Sequence, residues 1–138
     1  MKFQDFIESG KVRKRNPDIQ LAKALAKMSG NNLAILRSME IIDTNASFMM
    51  SAYYDALRQL LEAMAVEKGY KIYSHEAYTY FLKNVLNEDT ASIKFDRFRK
   101  IRNKINYYGK PVDKETVKSC KGDVIKLVDY LKKKFKPA

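Results

Sequence analysis

From Pro17 to Phe135, apolar residues recur at spacings of three and four with few interruptions, a pattern that is buried by packing helices on helices. One stripe runs through Leu21, Leu25 and Met28 and continues through Leu33, Leu36 and Met39 to Ile42. Gly30-Asn31-Asn32 interrupts it, which predicts a kink or break. Before it, Phe3, Phe6 and Ile7 predict a short first helix ending at Gly10, followed by a basic connector over residues 11–16. Asp43-Thr44-Asn45 reads as a turn and cap. A long helix then runs to about Lys68 on Met49, Ala52, Tyr53, Ala56, Leu57, Leu60, Leu61 and Met64, with Gly69 placed to end it. Ser74 caps a helix carrying Tyr78, Phe81, Leu82 and Val85. After Asn87-Glu88-Asp89-Thr90 comes a helix over Ala91–Tyr108, stopped by Gly109-Lys110-Pro111. Asp113 caps a last helix over Lys114–Phe135, weakened locally by Gly122. No window sustains the period-two alternation of strands, so no sheet is expected. The fold class read from the sequence is all-α: an antiparallel up-down bundle of about five to six helices forming one domain over residues 1–138.

Composition closes off other classes. A chain of 138 residues that is 46% hydrophobic buries roughly two-thirds of its unfolded surface and needs no disulfide or metal staple. The single cysteine, Cys120, excludes an internal disulfide, which fits a reducing cytoplasm. One His and one Cys exclude a zinc cluster built from a single chain, and no cofactor is called for. No apolar run nears the roughly 18 residues that span a bilayer, and the charged first 25 residues predict no secretory signal. Lys and Arg exceed Asp and Glu by 27 to 16, a net charge of +11. Nearly all the excess lies in residues 90–138, with 15 basic and 5 acidic side chains. Such a basic face is the footprint of a polyanion-binding surface, or a solubilising one.

The chemistry concentrates in residues 95–109. Phe98, Ile101, Ile105 and Tyr108 form a buried stripe, while Arg99, Arg102, Asn103 and Asn106, spaced three, one and three apart, form a second face dense in hydrogen-bond donors. Two Arg and two Asn side chains so placed make a candidate phosphate or nucleotide site. Asn is a poor helix former and gains nothing on a plain exposed face.

Arg102-Asn103 followed by the stop at Gly109 resembles the R-N-x-x-x-H signature of HEPN domains. Ser51-Ala52-Tyr53-Tyr54-Asp55-Ala56-Leu57 opening a long helix is similar to the family's second core helix. Lys68-Gly69-Tyr70-Lys71, then Ser74-His75-Glu76, resembles its turn between helices. The resemblance covers roughly residues 35–135. It implies a helical bundle that forms homodimers, with the motif helices of two subunits meeting at a composite cleft. It also implies metal-independent ribonuclease chemistry in many members, and frequent pairing with a small nucleotidyltransferase in toxin–antitoxin-type systems. The family's histidine position is Tyr107 here. Metal-independent ribonuclease chemistry needs a proton acceptor and a cation for developing phosphorane charge. Arg102 supplies the cation. A phenol with a pKa near roughly 10 is a poor base at neutral pH, though Tyr107 can donate a hydrogen bond or stack on a base.

Three readings follow. The first is a dimeric module that binds RNA or a nucleotide through Arg99, Arg102, Asn103, Asn106 and Tyr107, pairs with a nucleotidyltransferase-like protein, and has lost the catalytic His. The second is an active metal-independent endoribonuclease using Arg102 and Tyr107. The third is a helical adaptor for an acidic protein partner. His75, the sole histidine, is read as structural, following an N-cap Ser. The tyrosines between Tyr53 and Tyr80 are read as packing or a dimer surface, and Cys120 as an inert buried thiol. Lys132-Lys133-Lys134-Phe135-Lys136 is read as a basic helix end.

Overall fold

The computed structural model describes residues 1–135 and Pro137; Lys136 of the basic helix end lies outside them. Six α-helices appear among the described residues: α1 (Phe3–Glu8), α2 (Ile19–Arg37), α3 (Ala46–Glu67), α4 (His75–Tyr80), α5 (Asp89–Tyr108) and α6 (Lys114–Lys134). The architecture is the expected all-α bundle. No helix among the described residues is long and apolar enough to cross a membrane.

The central element is α3, whose Ala-, Leu- and Met-rich sequence forms helix readily and presents apolar side chains on nearly every side. Met49, Met50, Tyr53, Tyr54, Leu57, Leu60 and Leu61 are all fully buried. Around it pack α2, α5 and α6. The α2–α3 pair is antiparallel: Asp18 N donates to Val66 O (3.3 Å) at one end, and Ser29 Oγ to Ala56 O (2.6 Å) midway. α6 contributes Val117, Cys120, Val124, Leu127, Val128 and Leu131, the stripe its sequence spacing marks.

Four details differ from the sequence reading. First, a two-stranded antiparallel ribbon exists where a connector and a loop were expected. β1 (Val12–Lys14) pairs with β2 (Tyr70–Ile72) in the register Val12↔Ile72, Arg13↔Lys71, Lys14↔Tyr70. Strands of three residues are too short to display a period; the pairing is created by the fold bringing both ends of the α2–α3 hairpin together. Second, α2 runs straight through Gly30-Asn31-Asn32. Ser29 is buried and bonded to α3, and Asn32 Nδ2 donates to Gln59 Oε1 at 2.9 Å. These contacts offset a propensity cost of about 1 kcal/mol at Gly. Third, α2 stops at Arg37, not Ile42. Asn45 ties down the connection, accepting from Ile42 N (2.9 Å) and donating to Glu40 O (2.9 Å), while Ile41 enters the core. Fourth, the helix begun at His75 widens into a π-helical turn over Phe81–Val85, where Asn84 Oδ1 accepts from Phe3 N at 2.8 Å and anchors α1.

Candidate functional site

Phe95 and Phe98 seat α5 in the core, and the next turns of the helix carry the donor-rich face. Its four members meet different fates. Arg99 turns inward, only 13% of its side chain exposed, and closes on Asp96 through Nε (2.9 Å) and Nη2 (2.8 Å). Thr79 Oγ1 also donates to Asp96 (3.1 Å), and Lys100 Nζ pairs with it at 3.1 Å. Burial pushes the Asp96 carboxyl up, but the hydrogen bonds from Arg99, Lys100 and Thr79 and the charge of Arg99 together outweigh it and hold its pKa below the ordinary value. Arg99 also reaches Glu76 Oε2 on α4 (3.9 Å), so its charge is already answered by carboxylates, while the Thr79–Asp96 bond ties α4 to α5.

Arg102 keeps its charge available. Its guanidinium lies over the ring of Tyr54, 5.7 Å from the centroid. Asn106 is four residues on and on the same face; with its amide assigned so that the oxygen meets the guanidinium donors, it accepts from Arg102 Nε (2.9 Å) and Nη2 (3.2 Å). Nη1 has no hydrogen-bond or carboxylate partner among the described residues. A planar fork held by an amide at its Nε–Nη2 edge and lying over an aromatic ring is preorganised for an anionic oxygen. Asn103 is half-buried beside it, while Tyr107 stands 71% exposed and Tyr108 73%.

Two residues complete the cluster that the motif helix does not supply. Tyr54, on α3, is fully buried and packs its ring on Phe95 (centroids 5.3 Å apart). Its hydroxyl meets His75 Nδ1 at 2.9 Å, and the two rings stack with an interplanar angle of 21°. Burial pushes the Tyr54 hydroxyl pKa well above its ordinary 10.0 against the pull of Arg102, so it stays protonated. His75 is shifted below 6.5, first by burial and then by the positive charges of Arg102 and Arg58, with Asp55 opposing. The imidazole is therefore neutral at pH 7. The cluster draws on α3 (Tyr54), the start of α4 (His75) and α5 (Arg102, Asn106). His75, read from the sequence as structural, is thus part of the Arg102 neighbourhood.

A cavity of about 470 Å³ lies at the other end of α5, between Glu88, Lys94, Lys126 and Tyr130, and includes none of these residues. No group of three or more potential metal ligands occurs among the described residues. Cys120 is fully buried, with Arg97 Nη2 3.5 Å from its sulfur. Comparison with known proteins returns no matching family model, no matching curated protein and no matching solved structure.

Proposed function

We propose that this chain is a HEPN-type module that acts in the cytoplasm as a homodimer, binds RNA or a nucleotide at Arg102, and serves as the HEPN component of a nucleotidyltransferase-paired, toxin–antitoxin-type system. The single observation that carries the reading is the Arg102 cluster, a guanidinium braced by Asn106 and Tyr54 that has no carboxylate partner among the described residues. Such a group attracts a phosphate, and the excess of cations in residues 90–138 raises the local concentration of any polyanion. The exposed aromatic end of α5, Tyr107 and Tyr108, supports a dimer with these helices near the two-fold axis, since aromatic residues are enriched at interfaces.

A second reading, the metal-independent ribonuclease, gains one specific support. The neutral His75 imidazole sits in the electrostatic reach of Arg102. In the tautomer whose Nδ1–H donates to the Tyr54 oxygen, Nε2 carries the lone pair and accepts a proton, a capacity that Tyr107 lacks at neutral pH. Incubating the pure protein with labelled RNA, with and without magnesium, separates the two. The binding module retains intact RNA in both conditions. Cleavage without magnesium that disappears in His75→Ala and in Arg102→Ala replaces the first reading with the second.

A further inference from the structure

The β1–β2 ribbon has two unlike faces. Val12, Ile72 and Tyr70 turn toward the core. By the alternation of strands, the other face carries Arg13 and Lys71, directly opposed in the ladder, flanked by Lys11 and Arg15 along one strand and Tyr73 along the other. Backbone bonds extend the pairing at both ends, Arg15 N to Gly69 O (2.9 Å) and Tyr73 N to Lys11 O (2.8 Å). Opposed like charges destabilise a strand pair, yet here two cations face each other on the smallest sheet a chain can build. No acidic residue occurs in residues 10–17 or 68–74. Among the described residues, none of Lys11, Arg13, Arg15 and Lys71 has a carboxylate within ion-pair distance. Both Arg13 (5.7 Å) and Lys71 (5.4 Å) lie over the ring of Tyr73, which remains 54% exposed. The ribbon also points somewhere. Tyr73 is two residues from His75, at most about 7 Å of chain, and His75 bonds the tyrosine on which Arg102 rests.

We propose that the outer face of the ribbon binds a single-stranded polynucleotide, phosphates on Arg13 and Lys71 and a base on Tyr73, on a path that leads to the Arg102 site. The ligand is then an extended RNA strand, not a free mononucleotide. Cations at alternate positions of one strand are spaced about 7 Å apart and suit a phosphate backbone. An exposed aromatic ring among them suits an unstacked base, which a duplex, a lipid surface or an acidic peptide does not offer. The destination of the path rests on the reading of Arg102 as a nucleotide site; the ribbon surface does not.

The test is fluorescence anisotropy with an end-labelled oligouridylate of about 12 nucleotides over a range of salt. The double variant Arg13→Gln/Lys71→Gln should reduce the log–log salt slope by about 1.4, with an unchanged circular-dichroism spectrum. Tyr73→Ala should weaken binding about 10-fold, and Tyr73→Phe should restore it. Wild-type affinity and slope in the double variant, or no loss in Tyr73→Ala, would overturn the proposal. So would tighter binding of a duplex of equal length or of phosphatidylserine vesicles. Arg102→Ala in the same titration keeps the two readings apart. If it binds as wild type while the ribbon variants fail, the Arg102 reading falls and the ribbon stands; the reverse result removes the ribbon.

Discussion

Asn106 and Tyr54 hold Arg102 in place, and the proposed reading turns on which group near that fork can take a proton. Tyr107 is exposed, so replacing it leaves the core untouched. Tyr107→His places an imidazole with a pKa near roughly 6.5 at the histidine position of the R-N-x-x-x-H signature that this helix resembles. If that base is the only part missing, the variant should gain metal-independent RNA cleavage that Arg102→Ala abolishes. An inert Tyr107→His would show that the cleft lacks more than its base. His75 makes a separate prediction. Its folded pKa lies below its unfolded 6.5, so the unfolded chain binds more protons between the two values and stability rises with pH across that window. The contribution is fully present above 6.5 and is lost as pH falls through the folded value. Thermal melts should show a drop in midpoint beginning near pH 6.5 that His75→Gln removes; an unchanged profile in that variant would mean that His75 is not the titrating group. The falling contribution of Asp96, whose pKa lies below 3.8, belongs to a lower range. Arg102 and Asn106 were legible in the sequence because four residues on one helix share a face. Tyr54 and His75 were not legible as their partners. They lie 48 and 27 positions away, and no local spacing relates them to the motif. Arg99 carried the same local signal as Arg102, and only the neighbouring Asp96 tells the two apart.

Helix boundaries were readable wherever a side chain acts locally. Asp18 and Asp113 cap α2 and α6 through the backbone of Leu21 (3.0 Å) and Thr116 (2.8 Å). Gly109 closes α5 in the left-handed region, as its position after the last apolar residue predicted. The ribbon escaped because its signal is tertiary. Gly69 shows how closely it is fitted: its φ is +87°, and a Cβ there would stand 2.7 Å from Arg15 O. Gly69→Ala should therefore cost about 2 kcal/mol or more, combining left-handed strain with a backbone clash. Gly122, inside α6 with nothing within 4 Å of its Cβ position, is the opposite case. Gly122→Ala should stabilise by about 1 kcal/mol on propensity alone. Urea titrations of both variants check the pair, and a neutral Gly69→Ala would contradict the close fit of ribbon to α3.

At the scale of the whole molecule, a strongly basic third of the chain, a second basic face on the ribbon, and a guanidinium with no carboxylate partner among the described residues occur together, the last near the junction of α3, α4 and α5. A composite cleft between two subunits requires association, so light scattering at tens of micromolar should give twice the 16.0 kDa chain mass. A monomer would confine the site to one chain. The class of fold was legible from periodicity alone, because buried stripes dictate helix-on-helix packing; the direction of the charge was legible from counting. The meeting of charge and site was not, since it depends on which helices neighbour α3. The most direct test of the central claim is a binding titration of a short single-stranded RNA with wild type and Arg102→Ala at one fixed ionic strength, with the fold checked by circular dichroism. A charged hydrogen bond to phosphate is worth about 1.5–3 kcal/mol, so the account predicts affinity at least about 10-fold weaker in the variant, with an unchanged spectrum. Equal affinities for the two proteins would contradict it.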